Sequence, residues 1–191
     1  VDWKATARMG ELQVRTYEPS STYNVIVVVT VDTTTPYWEA YFPEDLERVI
    51  TTAASVASDA IERQYTVGVL SNDLPVLTGR PLTVSPGRGT EQMATILTSL
   101  AAIRPYALAP MSKMLLEYSR RLPLGSTLVV CTSHMHPEFV DTLNAVRARG
   151  FSIVLVYLGR DECPPLHEGI QVHHIRPYLD SLEAQGEPVA G

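Results

Sequence analysis

The stretch "NVIVVVTVDTTTPYWEA", residues 24–40, carries apolar side chains at Val25, Ile26, Val27, Val28, Val29 and Val31. A strand that is apolar at both odd and even positions needs cover on both faces, so Val25–Val31 belongs near the middle of a mostly parallel sheet. Asp32 stands where this strand must end, and Thr33, Thr34 and Thr35 follow it. An acid with hydroxyls at the end of a buried strand is a common way to hold a divalent cation. The stretch therefore predicts both a fold and a place to look for a ligand.

Working outward, buried strands alternate with amphipathic helices, the pattern of an α/β domain with helices on both faces of the sheet. Residues 43–64 carry Leu46, Val49, Ile50, Ala53, Ala57, Ala60 and Ile61 at helical spacing, with Glu44–Arg48 and Asp59–Arg63 as i,i+4 pairs on the wet face. Residues 66–70 form a second strand, and 80–89 hold at best a short one whose prolines suit a sheet edge. Helices follow over 90–103, striped by Met93, Ile96, Leu97 and Leu100, and over 110–122, striped by Met111, Met114, Leu115, Tyr118 and Leu122. The methionines read as core filler. A strand over 126–133 leads to a helix with Pro137 at its start and Gly150 just past its end. Strands over 151–159 and 170–175 and a short helix over 178–186 close the chain. In open sheets of this kind ligands bind at the carboxyl ends of the strands, which selects loops 32–38, 71–75, 132–137 and 159–167. Loop 104–110, between the two middle helices, can reach the same face.

At 191 residues the chain has the length of one domain, and 45% hydrophobic with 19% charged residues is an ordinary globular composition. A net charge of −6 argues against binding a phosphate backbone. Arg120 with Arg121, and Arg147 with Arg149, lie near helix ends, where they complement the helix dipole. Cys131 and Cys163 are too few and too far apart for a disulfide framework, which points to a reducing compartment. No run of about eighteen apolar residues is present to span a membrane, and no signal peptide is visible.

The loops contain neither a GxxxxGK[ST] phosphate loop nor a GxSxG elbow. An enzymatic alternative, a hydrolase or transferase, would combine Asp32 with Ser133, His134 or His136, although neighbours in sequence rarely make a nucleophile–base pair. A metal or ligand sensor would draw on the same histidines, with Cys131, Cys163 and His167 as further ligands, but their spacing matches no standard zinc site. His173 and His174 point to opposite faces of one strand, so at most one joins any site.

"DTTTP" (32–36) resembles the DxSxS loop of von Willebrand factor A-type domains, and the order of elements matches that fold. "VDWKATARMGELQVRTYEP" (1–19) looks like the signature preceding the first core strand in the family catalogued as domain of unknown function fifty-eight. "SPGRGTEQMATILTSLAAI" (85–103) and "SRRLPLGSTLVVCTS" (119–133) look like its later segments. The resemblance implies a single von Willebrand factor A-like domain over 1–191, with a signature segment over 1–23 and a core over 24–185. Trp3, Lys4 and Arg8 in the signature read as an anchor pinned to the sheet.

In the resembled domains, the aspartate and two hydroxyls of this loop share a magnesium with a threonine and an aspartate from two later loops, and the ion takes a carboxylate from a partner. Here Asp32 and Thr34 match. Pro36 replaces the second serine, Leu108 or Ala109 the threonine, and Thr132 or Ser133 the aspartate. Magnesium wants about six oxygens near 2.1 Å, so the resemblance implies a degenerate site with no cofactor beyond weak magnesium. It also implies a non-enzymatic protein-binding domain whose partner is a MoxR-type AAA+ ATPase. Family members typically carry two membrane helices upstream of the signature, so the chain would be the soluble, cytoplasm-facing part of a membrane-anchored protein. The partner-binding residues implied are Asp32, Thr34, Tyr37, Trp38, Ala109, Ser133, His134 and His136, within a face built by 33–38, 106–110 and 133–137. Tyr37 and Trp38 suit a hot spot, but Trp38 reads equally as a cap on the core.

Overall fold

The computed structural model describes residues 23–34, 41–74 and 81–184. The signature residues Trp3, Lys4 and Arg8, and Pro36, Tyr37 and Trp38 of the first loop, lie outside the described residues. The elements run β1 (Asn24–Val29), α1 (Pro43–Glu62), β2 (Thr66–Ser71), β3 (Thr83–Gly87), α2 (Gly89–Ala101), α3 (Met111–Tyr118), β4 (Thr127–Thr132), α4 (Pro137–Ala148), β5 (Ser152–Tyr157), β6 (Ile170–His174) and α5 (Arg176–Ala184).

The strands form one six-stranded sheet in the order β3-β2-β1-β4-β5-β6. All neighbours are parallel except β2 and β3. The unbroken apolarity of β1 is explained by its place between β2 and β4. Its side chains divide by parity. Val25, Val27 and Val29 join α1 and α2 in one core, through Leu46, Val49, Ala53, Ile96 and Leu100. Ile26 and Val28 join α3 and α4 in the other, through Met111, Leu115, Phe139 and Leu143. The result is the expected three-layer α/β arrangement.

β3 is the antiparallel edge that its prolines suggested, and its register against β2 shifts between Val67 and Val69. Gly68 sits at this irregularity because a Cβ there would lie 2.8 Å from the Val84 carbonyl oxygen. The expected helix over 110–122 stops at Tyr118 and tightens into a 3-10 turn over Ser119–Arg121, with Leu122 extended.

Three local expectations are corrected. The first strand ends at Val29, not Val31, because the Val31 amide donates to the side-chain oxygen Oδ1 of Asn72 instead of to a neighbouring strand. Arg48 does not pair with Glu44. It reaches Asp180 at 2.8 Å and Glu183 at 2.5 Å, two carboxylates offered together by α5. The Asp59–Arg63 pair forms as expected, at 2.7 Å. Leu97 is 43% exposed whereas Ile96 is fully buried, so the core stripe of α2 passes through Ile96 and Leu100 and leaves Leu97 out. Ile96→Ala is therefore expected to cost about 2–5 kcal/mol, and Leu97→Ala no more than about 0.5 kcal/mol. Urea denaturation of the two variants checks this; a similar loss in both would mean that α2 is rotated.

Candidate functional site

Parallel register brings the ends of β1, β2 and β4 level, since Val29 lies opposite both Ser71 and Cys131. The next residues of each strand, Thr30, Asn72 and Thr132, are polar and buried. Thr30 Oγ1 donates to Thr132 Oγ1 at 2.7 Å, and Thr132 Oγ1 donates to the His134 carbonyl at 2.6 Å. These hydroxyls close the loops after β1 and β4 against each other.

Asn72 joins three segments. Its Oδ1 accepts from the Val31 amide at 2.9 Å, and its Nδ2 donates to Asp32 Oδ2 at 3.0 Å and to the Ala109 carbonyl at 3.2 Å. Its own carbonyl accepts from the Leu108 amide at 2.8 Å, and Leu74 donates to the Tyr106 carbonyl at 2.7 Å. Loop 104–110 is thus docked on the end of β2 as a short antiparallel bridge, Asp73 with Ala107, and reaches the expected face. Asp73 is also buried, and its Oδ1 accepts from the Leu82 amide at 3.3 Å.

Asp32 is 6% exposed, and its second oxygen, Oδ1, has no hydrogen-bond partner among the described residues. Ser133 is also 6% exposed, and its Oγ likewise has no partner among them. The hydrogen bond from Ser133 Oγ to a histidine that the enzymatic alternative requires is not made among the described residues. His134 and His136 pack edge to face with ring centroids 4.8 Å apart. Burial lowers the pKa of His134, as does the charge of His136, while Asp161 opposes both. Thr34 is half-buried beside Asp32, and Thr33 Oγ1 accepts from the Phe42 amide at 2.8 Å. Gly159 lets the loop after β5 approach this end of the sheet: a Cβ there would lie 2.7 Å from the Ser133 carbonyl oxygen and would overlap the Tyr157 hydroxyl.

The structure therefore gathers Asp32, Thr34, Ala109, Ser133, His134 and His136 at the carboxyl end of the sheet. Ala109 contributes through its carbonyl. Sequence reasoning missed Thr30 and Asn72. The signal was present in "SND" (71–73), three polar residues directly after an apolar strand, the same pattern that drew attention to Asp32.

One Asp32 oxygen is engaged by an N–H donor, Asn72 Nδ2, which also occupies the Ala109 carbonyl. Among the described residues, no group of three or more His, Cys, Asp and Glu is arranged to hold a metal.

The chain matches the family described as "Protein of unknown function DUF58" over residues 1–168, and it belongs to that family. No curated protein is similar to this chain in sequence. Among solved structures, the pilus adhesin SpaC from Lactobacillus rhamnosus GG is 10% identical with a TM-score of 0.57, over 88% of this chain and 30% of the adhesin. Proximal thread matrix protein 1 from the mussel byssus is 9% identical with a TM-score of 0.54, over 87% of this chain and 47% of that protein. The SpRpn10 VWA domain is 8% identical with a TM-score of 0.45, over 89% of this chain and 100% of that one. The chain thus spans under half of the first two, and the likeness to those two is one of fold.

Burial pushes the Asp32 carboxyl above its ordinary pKa, against the Asn72 hydrogen bond and the charge of His136, which pull it down. A carboxyl raised by folding binds its proton more tightly in the folded state. That stabilisation is complete below the ordinary carboxylate pKa and is lost as pH rises through the folded value. At any pH above the ordinary carboxylate range this raised pKa is a cost to folding. Asp32→Asn is therefore expected to raise the melting temperature at neutral pH, with the gain fading to nothing below the ordinary carboxylate range. Burial also raises the Asp73 carboxyl, which contributes equally to both proteins and cancels in the difference. Thermal melts against pH check this; a pH-independent offset would assign the effect to packing.

Proposed function

We propose that this chain is a non-enzymatic docking domain with a degenerate metal-ion-dependent adhesion site, whose protein partner lands on the carboxyl-end face around Asp32. One observation carries the proposal. Tyr41, Phe42, Leu74, Tyr106 and Leu108 are exposed, and all lie on loops at this end of the sheet. Phe42 is tied to Thr33, Leu108 to Asn72 and Leu74 to Tyr106, so they surround the Asp32 loop as an apolar rim. Aromatic and aliphatic side chains on loops held by a rigid sheet are the usual material of a protein-binding hot spot.

The partner proposed is a MoxR-type AAA+ ATPase, and the setting the cytoplasmic face of a membrane, both on the strength of the family resemblance. No helix among the described residues is long and apolar enough to cross a membrane, so an anchor would lie elsewhere in the protein. With one Asp32 carboxylate oxygen and the Ser133 hydroxyl left without a partner among the described residues, the site is proposed to work without recruiting a partner carboxylate through a cation.

Calorimetric titration with magnesium or manganese is expected to show weak binding or none. Tight binding abolished by Asp32→Ala would contradict the metal-free reading. Pull-down of a MoxR-type ATPase is expected to survive chelation and to be lost in the double variant Tyr106→Asp, Leu108→Asp. Capture that is unchanged by that variant would remove the face from consideration. Trp38→Ala separates two roles: a contact residue would abolish capture with little change in melting temperature, whereas a core residue would cost about 3–5 kcal/mol of stability.

A further inference from the structure

The last helix is fastened unlike the others. None of the α5 residues is buried, and its apolar contact with the core is limited to Leu179 and the preceding Ile175, both only partly buried. The Ile175 amide donates to the Tyr157 carbonyl at 3.0 Å and Arg176 to the Leu158 carbonyl at 3.5 Å. The remaining ties are a network of three arginines and four carboxylates, Glu44 lying 4.0 Å from Arg160. Arg176 donates to Asp45 Oδ1 at 2.6 Å and to the two Asp180 oxygens at 3.0 and 3.1 Å. Arg48 of α1 holds Asp180 and Glu183. Arg160, from the loop after β5, donates to the other oxygen of Asp45 at 3.3 Å. The inner end of this network is sheltered, with the Asp45 and Arg176 side chains 5% and 11% exposed; Asp180 and Glu183 at its outer end are half open to water. The Arg48 hydrogen bond is the largest influence holding the Asp180 carboxyl below its ordinary pKa. α5 also lies beyond residue 168, where the family match stops.

Asp45 is the shared point. It sits in the first turn of α1, and the second arginine it holds, Arg160, places its guanidinium carbon 5.1 Å above the Phe42 ring. Phe42 in turn donates its amide to Thr33, the neighbour of Asp32. A continuous chain of contacts therefore runs from α5 through Asp45, Arg160 and Phe42 to the loop after β1.

From this arrangement we infer that α5 is a releasable strap, fastened by charge more than by core, and that its release loosens the Asp32 loop through Arg160 and Phe42. When Arg176 leaves, Asp45 keeps only Arg160, and the placement of that guanidinium over the Phe42 ring changes with the charge it now balances alone. What releases the strap is loss of its charge pairing, by screening at the half-exposed Asp180 and Glu183 or by removal of Arg176.

Salt distinguishes the two ways of holding a helix, because it screens half-exposed ion pairs and does not weaken apolar contact. Hydrogen exchange by mass spectrometry on the whole chain reads both ends. In molar potassium chloride the amides of 176–184 are expected to exchange roughly tenfold faster or more, while β1 and β4 stay protected. Arg176→Gln is expected to release the same amides at low salt and to speed exchange at Thr33, Thr34 and Phe42. Exchange in α5 that ignores both salt and substitution would overturn the strap, leaving Ile175 and Leu179 as its anchor. Release of α5 with no change at Thr33, Thr34 and Phe42 would overturn the coupling. If Arg176→Gln unfolds the chain as a whole, the unaltered protein in salt decides the matter: release of α5 with β1 and β4 protected supports the strap, and its absence overturns it. None of these readouts requires a partner at the sheet face, so they stand apart from the docking proposal.

Discussion

The side-chain amide of Asn72 is the interaction on which the functional end of the molecule depends. It is wholly buried and makes its bonds to segments distant in sequence: the Val31 amide, the Asp32 carboxylate and the Ala109 carbonyl. A buried amide with both ends engaged specifies one arrangement of its neighbours, because any displacement strands a donor or an acceptor away from water. Its effect is to draw together the loop after β1, the end of β2 and loop 104–110, while the loop after β4 is held separately by Thr30 with Thr132. The neutral donor Nδ2 takes one oxygen of Asp32 and leaves the other without a partner among the described residues.

This accounts for the mixed character of the face. Burial disfavours the charged form of Asp32 more than the Asn72 hydrogen bond and His136 favour it, which is unfavourable for stability. The loops around it are otherwise well fastened, by Thr30 with Thr132, by Thr33 with Phe42, and by the bridge of Asp73 with Ala107. A rigid platform with exposed Tyr106, Leu108 and Phe42 at its rim suits recognition by shape and apolar contact. The ion-pair network at Asp45 gives the same face a connection to the far end of the chain, and charge rather than packing sets its strength.

Much of the fold was legible because the signals were local and periodic. The parity of Val25–Val29 distributes into two cores, as a two-sided strand requires. Pro86 in β3 and the helix-starting Pro137 stand where their missing N–H groups are harmless. What was misread depended on partners far along the chain. Arg48 has a carboxylate at helical spacing in Glu44, yet nothing near it announces Asp180 and Glu183. Leu97 fits the apolar period of α2 but lies on its exposed side, which only the packing of α1 against α2 decides. At the site, Asp32 and Ser133 could be found from their places at strand ends. Asn72 could not be given its role, since the carbonyl of Ala109 that it holds has no signature in an apolar side chain.

The most direct test of this account is thermal unfolding of the wild-type chain and of Asn72→Ala, each in chelator and in excess magnesium. If the amide holds the loops, the wild-type melting temperature is the same in both solutions. Asn72→Ala then melts lower in both, with a loss of at least about 1–3 kcal/mol from the buried groups left unpaired. A wild-type protein strongly stabilised by magnesium, together with an Asn72→Ala variant as stable as the parent, would contradict it and return the site to the cation.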